Sequence, residues 1–274
     1  MPSLTRSPIV LCGSVSPDPE MLGAAMHNAG YHALGLSFTY VPFQGTDLAE
    51  AIHGMRALGL RGLEVAPPFT RDVIPLLDSI DPLAQKIGAV DTVVNDGGHL
   101  VGYNTDAFGA GDALGEVTIV AGRRVLIIGA GPAACAVAHV LANWGPRLHV
   151  VHHQPAAAAA LARSLGPGAT AGGLDDLARL LDFDILVHCP EAGTAVPPGM
   201  AVLESRLRPG LVVMDLVCEP MPTELVMAAT RRGARVVHGR QVLLNKAFRQ
   251  FELYTGRPAP RTAMEAALAA HLPG

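Results

Sequence analysis

Lysine is nearly missing from this chain of 274 residues: only Lys86 and Lys246 occur, and every other strongly basic residue is arginine. No block of Lys and Arg forms anywhere, and the formal net charge is −4, which argues against a nucleic-acid-binding surface. No run of about 18 apolar residues exists, so no membrane span is expected. The opening stretch MPSLTRSPIVLCG lacks the long apolar core of a secretory signal. The cysteines, Cys12, Cys135, Cys189 and Cys218, are scattered without a C-x-x-C pair. They read as a reduced set, and the expected location is cytoplasmic. Aromatic residues are few, at 4%, yet half of the residues are apolar and only 16% are charged, the composition of a folded globular protein.

Apolar runs of strand length alternate with helix-length segments, the signature of an α/β protein with parallel sheets. In the first part, strands are expected at residues 8–13, 33–41 and 62–66. A helix is expected at 19–29, closed by Gly30, and another to about Leu58, capped by Thr46. Pro67-Pro68 ends the third strand. Short helices are expected at 70–79 and 82–87, and a β-hairpin at 90–103 about the turn Asp96-Gly97-Gly98. A helix at 105–116 leads to four further strands, at 148–152, 185–189, 211–216 and 235–238. Two final helices, near 241–254 and 262–271, follow no further strand and are expected to return to the first part.

The most specific local pattern is RVLIIGAGPAAC, residues 124–135. A short apolar strand meets Gly129, Ala130, Gly131, Pro132, Ala133 and Ala134 in the order G-x-G-x-x-A. Gly129 permits the tight turn, Gly131 lets a pyrophosphate approach the backbone, and Ala134 keeps the helix close to the strand. The free N–H groups and positive end of the helix then face the phosphates. The expected organisation is two lobes with a cleft for substrate and cofactor. The substrate-binding lobe spans 1–104, completed by 240–274, and a Rossmann-type dinucleotide-binding lobe spans 105–239.

Seven segments, in this order, resemble the shikimate/quinate 5-dehydrogenase family. They are Ser14-Val15-Ser16-Pro17, Glu64-Val65-Ala66-Pro67-Pro68-Phe69, Gly88-Ala89-Val90-Asp91-Thr92, Gly102-Tyr103-Asn104-Thr105-Asp106, the glycine turn, Asp215-Leu216-Val217-Cys218-Glu219-Pro220 and Gly239-Arg240-Gln241-Val242-Leu243-Leu244. The resemblance implies an NAD(P)-linked interconversion of ring alcohol and ketone on a small cyclic carboxylate, with aromatic amino acid biosynthesis as the setting. It implies that Ser14 and Ser16 hold the substrate carboxylate. Two hydroxyls at i and i+2 in an extended segment can both donate to one carboxylate, although an ST-turn before a helix explains the same pair. It implies that Asp106 is the acid/base carboxylate. A first-turn acid on a helix capped by Thr105 is the alternative.

The chain departs from the family pattern at several site positions. The family lysine after P-F is Thr70 here, and a threonine hydroxyl cannot act as an acid near neutral pH. A family asparagine that holds ring hydroxyls is Glu64, a second asparagine is Asp91, a tyrosine near the nicotinamide is Cys218, and a substrate-contacting glutamine is Lys246. Lys246 thus becomes a candidate for the missing ammonium, or else a surface lysine near Arg249. The extra acids permit two readings. Either Lys246 is an internal counter-ion and the substrate stays a polyol acid, or the substrate carries an amine as well as a carboxylate.

The cofactor is NADP or NAD. Where an NAD site has Asp or Glu and an NADP site has arginine, this chain has His152 and His153. His149 and His153 are expected on one face of their strand, too small a pair to make a metal site by itself. Cys189, Leu216 and Gly239, which end or follow later strands of this lobe, are expected near the cofactor. The partner is a small-molecule carboxylate, and the protein is expected to be a monomer or homodimer. The rival reading is a paralogue that binds a dinucleotide or ring acid without hydride transfer.

Overall fold

The computed structural model describes residues 8–190, 204–217 and 222–271. These divide into two compact units, residues 1–105 with 246–274 and residues 106–245. Each unit is built on its own six-stranded sheet.

The first unit contains β1 (Val10–Ser16), β2 (Phe38–Gln44), β3 (Gly62–Val65), β4 (Ser79–Ile80), β5 (Thr92–Asp96) and β6 (His99–Tyr103), in the spatial order β2-β1-β3-β5-β6-β4. β1 is parallel to β2 and β3, whereas β5 runs antiparallel to β3 and β6, so the sheet is mixed rather than parallel throughout. Helices α1 (Leu22–Ala33), α2 (Leu48–Leu58) and α3 (Pro82–Ile87) belong to this unit. A core of Val15, Ile52, Met55, Leu63, Val65, Val93 and Leu100 fills the space against one face of the sheet.

Several local expectations change. Gly30 does not close α1, which continues to Ala33. A Cβ on Gly30 would lie 2.8 Å from the ring of Phe251 and 3.2 Å from Met264, so the glycine serves close packing instead of a helix end. The second strand lies later than expected because Pro42 is tolerated there: β2 is an edge strand paired only with β1. Asp47, not Thr46, caps α2 and accepts from the Glu50 amide at 3.1 Å. The helix expected at 70–79 reduces to one 3-10 turn, Ile74–Leu76, followed by the short β4.

The second unit is an all-parallel sheet of β7 (Arg124–Ile128), β8 (Arg147–Val151), β9 (Ala169–Gly172), β10 (Ile185–His188), β11 (Val212–Asp215) and β12 (Arg235–His238). Its order, β12-β11-β10-β7-β8-β9, is that of a Rossmann sheet with the topological switch between β7 and β10. The four central strands β7, β8, β10 and β11 are largely buried, as near-continuous apolar runs in such sheets must be. α4 (Thr105–Gly115) leads into this unit, α5 (Pro132–Ala142), α6 (Pro155–Leu165) and α7 (Glu224–Arg231) connect its strands, and α8 (Gly239–Thr255) leads out of it to α9 (Arg261–His271). β9 was not among the expected strands, since its ATAG carries no apolar run. Among the described residues no helix is long and apolar enough to cross a membrane.

Candidate active site

In the first unit, β1 and β3 place Ser14 and Glu64 side by side in register. The Glu64 carboxylate is engaged at both oxygens. Lys246 Nζ lies 2.7 Å from Oε1, and the Tyr40 hydroxyl donates to Oε2 at 2.9 Å. The two charged side chains keep only 14% and 19% of their surface exposed for Lys246 and Glu64 respectively. Burial pushes the Glu64 carboxyl up, but the Lys246 ammonium and the Tyr40 hydroxyl outweigh it and hold the group below its usual range. Tyr40 is buried, which drives its phenol well above the ordinary value, and the Glu64 carboxylate adds to that rise. The neighbouring Ser14 hydroxyl acts in the opposite direction and lowers it.

His27 stacks flat on Tyr40, with ring centroids 4.6 Å apart and planes 4° from parallel. Complete burial lowers His27 to about 4 against the opposing effects of Gln250 and Glu64, so it packs as a neutral ring. Gln250 then links two clusters. Its Oε1 lies 3.3 Å from His27 Nε2, and its Nε2 donates to Thr92 Oγ1 at 3.0 Å. Thr92 donates to Asp91 Oδ1 at 2.6 Å, and the same oxygen accepts from the Thr105 amide at 2.8 Å and its hydroxyl at 2.7 Å. Asp91 is thus a buried carboxylate that anchors the start of α4. Asp106 follows, exposed, in the first turn of that helix.

In the second unit, Gly129 adopts φ +124°, and a Cβ there would lie 2.2 Å from the Cys189 carbonyl oxygen. The turn therefore requires glycine for both its backbone angle and its neighbour. Gly131 caps α5 with no side-chain hydrogen bond, and Pro132 occupies the first turn. The leading amides of this 11-residue helix are left for a ligand such as a phosphate. Ala134 is fully buried, as close packing of helix on strand demands. At the end of β11, Leu216 and Val217 approach Gly239 so closely that a Cβ there would lie 2.5 Å from the Val217 oxygen and 2.9 Å from that of Leu216.

A family model described as the shikimate dehydrogenase substrate binding domain matches residues 16–93. Over 269 residues the chain is 40% identical to a shikimate dehydrogenase (NADP(+)) of Halorubrum lacusprofundi, covering 94% of this chain and 97% of that one. The chain belongs to the shikimate dehydrogenase family. A second relative, the shikimate dehydrogenase (NADP(+)) of Pyrococcus abyssi, is 36% identical over 241 residues, 88% of this chain and 89% of its own. Among solved structures, the shikimate 5-dehydrogenase of Listeria monocytogenes in complex with shikimate and NAD has a TM-score of 0.88 at 28% identity, covering 98% of this chain and 99% of that one. The ligand-free 5-ketofructose reductase of a Gluconobacter strain scores equally, 0.88 at 29% identity, over 97% of this chain and all of its own. Solved structures of this shape therefore include one whose name is not that of a shikimate enzyme.

Against this family background the expected site residues fall into groups. Glu64 and Lys246 belong to one hydrogen-bonded cluster with Tyr40, a residue that sequence reasoning missed, and Ser14 stands beside Glu64 in strand register. Ser16 forms the local turn foreseen as its alternative: its hydroxyl donates to the Asp18 carbonyl at 3.0 Å and accepts from the Asp18 amide at 3.1 Å. Thr70 lies just after Phe69, and its carbonyl accepts from the Val90 amide at 2.8 Å. His152 is buried, and its Nδ1 accepts from the Gln154 amide at 3.2 Å, while His153 is exposed. The shared strand face expected for His149 and His153 is not found, because β8 ends at Val151. His149 instead bonds Thr170 at 2.7 Å and Asp176 at 3.0 Å. Cys189 is buried, and burial drives its thiol far above the ordinary range. Cys218 lies outside the described residues.

Proposed function

We infer that this protein is an NAD(P)-dependent oxidoreductase that interconverts a hydroxyl and a ketone on a shikimate-like ring carboxylate, with Lys246 as its proton-transferring ammonium. The single observation that carries the reading is the Lys246–Glu64 pair at 2.7 Å. Position 70, where the resemblance calls for a lysine, holds a threonine, and the chain's other lysine, Lys86, lies in the last turn of α3. The pairing favours the reading in which Lys246 is the internal counter-ion of Glu64 and the substrate remains a polyol acid.

The assigned substrate domain is 1–104 completed by 240–274, and the assigned dinucleotide domain is 105–239. In the first, Ser14 and Ser16 bind the substrate carboxylate, and Glu64, Thr70 and Asp91 orient the ring hydroxyls. Lys246 donates a proton to the carbonyl oxygen on reduction and recovers it on oxidation, with Asp106 as the partner acid/base. In the second, Gly129, Ala130, Gly131, Pro132, Ala133 and Ala134 seat the pyrophosphate, with the free amides at the start of α5 as donors. His152 and His153 lie after β8, the position that meets the adenosine ribose. Cys189, Leu216 and Gly239 border the nicotinamide side. A bound nicotinamide supplies or accepts the hydride. The active species is a cytoplasmic monomer or homodimer.

The test is to incubate the purified protein with shikimate and either NADP+ or NAD+ and follow the reduced nicotinamide absorbance. Turnover that falls about 10²-fold or more in Lys246→Gln supports the reading. Turnover equal to wild type in that variant removes Lys246 from the chemistry.

A further inference from the structure

One buried group at the ligand edge of the second unit has no task in the activity proposed above. His188 closes β10 and stands in register with Asp215 at the end of β11 and with Ile128, the residue before Gly129. In a sheet of this order, ligands bind beyond the carboxyl ends of the strands at the switch point, which here lies between β7 and β10. The half beginning at β7 takes the adenosine side, so the half beginning at β10 takes the nicotinamide side.

The imidazole is held from behind. Its Nδ1 lies 3.0 Å from Asp215 Oδ1, which also accepts from the Val217 amide at 3.2 Å. Asp215 Oδ2 accepts from the Thr223 hydroxyl at 2.6 Å, and that hydroxyl in turn accepts from the Val226 amide at 3.2 Å as the cap of α7. Asp215 is 1% exposed. This carboxylate is satisfied from two sides by its own neighbourhood, and it fixes Nδ1 as the donor and the ring plane with it. The opposite nitrogen is orphaned. Nε2 of His188 is buried, the residue is only 7% exposed, and that atom has no hydrogen-bond partner among the described residues. Such an oriented but unsatisfied atom calls for a ligand group, since leaving it unmade is costly.

We propose that His188, held by Asp215 and Thr223, hydrogen-bonds the nicotinamide–ribose half of the bound dinucleotide through Nε2. The carboxamide and the ribose hydroxyls each offer both a donor and an acceptor, so Nε2 finds a partner in either protonation state. The assignment rests on the dinucleotide-linked activity proposed above.

The variant that isolates Nε2 is His188→Asn, whose amide nitrogen still reaches Asp215 while nothing stands at the Nε2 position. Full-length wild type and variant are titrated with NADPH, NADH and ADP, the last carrying only the adenosine half. The expected result is about tenfold weaker binding of the dinucleotide in the variant with ADP unchanged. Equal dinucleotide affinity, or an equal loss for dinucleotide and ADP, overturns the proposal. A second readout needs no variant: the Nε2 nitrogen resonance of wild-type His188 moves on addition of dinucleotide and stays put with ADP. A resonance that ignores saturating dinucleotide overturns the proposal whatever the variant does. If wild type binds neither NADPH nor NADH, the oxidoreductase reading fails first and takes this assignment with it.

Discussion

The ammonium of Lys246 on α8 lies 2.7 Å from the carboxylate of Glu64 on β3, so the second of the chain's two lysines neutralises a carboxylate in the interior of the first unit. Such a pair is costly to break one side at a time, because the survivor is left charged and poorly solvated. Glu64→Gln and Lys246→Gln are each expected to cost about 3 kcal/mol of stability. The double variant is expected to cost less than their sum by about 1 kcal/mol or more. Urea unfolding of the four proteins checks this, and strict additivity would show that the two residues are not energetically coupled.

His27 gives the first unit a pH-dependent stability. Burial lowers its folded value to about 4, whereas an unfolded histidine titrates near its ordinary value of 6.5. Between those values the unfolded chain binds the extra proton, so stability rises with pH across this window and is flat with respect to this group above it. The full effect is about 3 kcal/mol. His27→Phe keeps a ring against Tyr40 and removes the titration. Denaturation midpoints measured between pH 4 and 7 are expected to show a shallower rise in the variant than in wild type.

Gly129 and Gly239 are closed to any side chain by backbone rather than by movable groups. Alanine at 129 meets the Cys189 oxygen at 2.2 Å and at 239 the Val217 oxygen at 2.5 Å. Both substitutions are expected to destabilise by about 1–3 kcal/mol or more. Gly129→Ala is also expected to abolish dinucleotide binding because the turn that leads to the phosphate-facing amides must move. Thermal unfolding with and without NADPH separates the effects: the variant loses the ligand-induced rise in Tm that wild type shows.

The second unit was legible because its signals are local. A strand, a G-x-G-x-x-A turn and a helix lie within residues 124–142, and the buried parallel strands announce themselves as apolar runs. Only β9 was silent, since ATAG is held by its pairing with β8 and not by hydrophobicity. The first unit was harder. Gly30 looked like a helix stop and is a packing contact, and the strand expected to end at Val41 runs on through Pro42 because it sits on an edge. In the candidate site, Glu64 and Lys246 stood out as charge changes against the family pattern. Tyr40, His27 and Gln250 did not, because their roles come from contacts between residues far apart in sequence, such as the 3.3 Å approach of His27 to Gln250. The Thr223–Asp215–His188 chain was hidden for the same reason, as strand register alone brings His188 to Asp215.

In the proposed mechanism Lys246 supplies the ammonium absent at position 70. The most direct test of this role is the reduced nicotinamide absorbance in single-turnover mixtures of shikimate with NADP+ or NAD+, for wild type, Lys246→Gln and the double variant Thr70→Lys/Lys246→Gln. The expected result is turnover by wild type, a fall of about 10²–10⁴-fold in Lys246→Gln with dinucleotide affinity unchanged, and partial recovery in the double variant. Wild-type rates in Lys246→Gln, or no turnover by a wild type that binds the dinucleotide tightly, would contradict it.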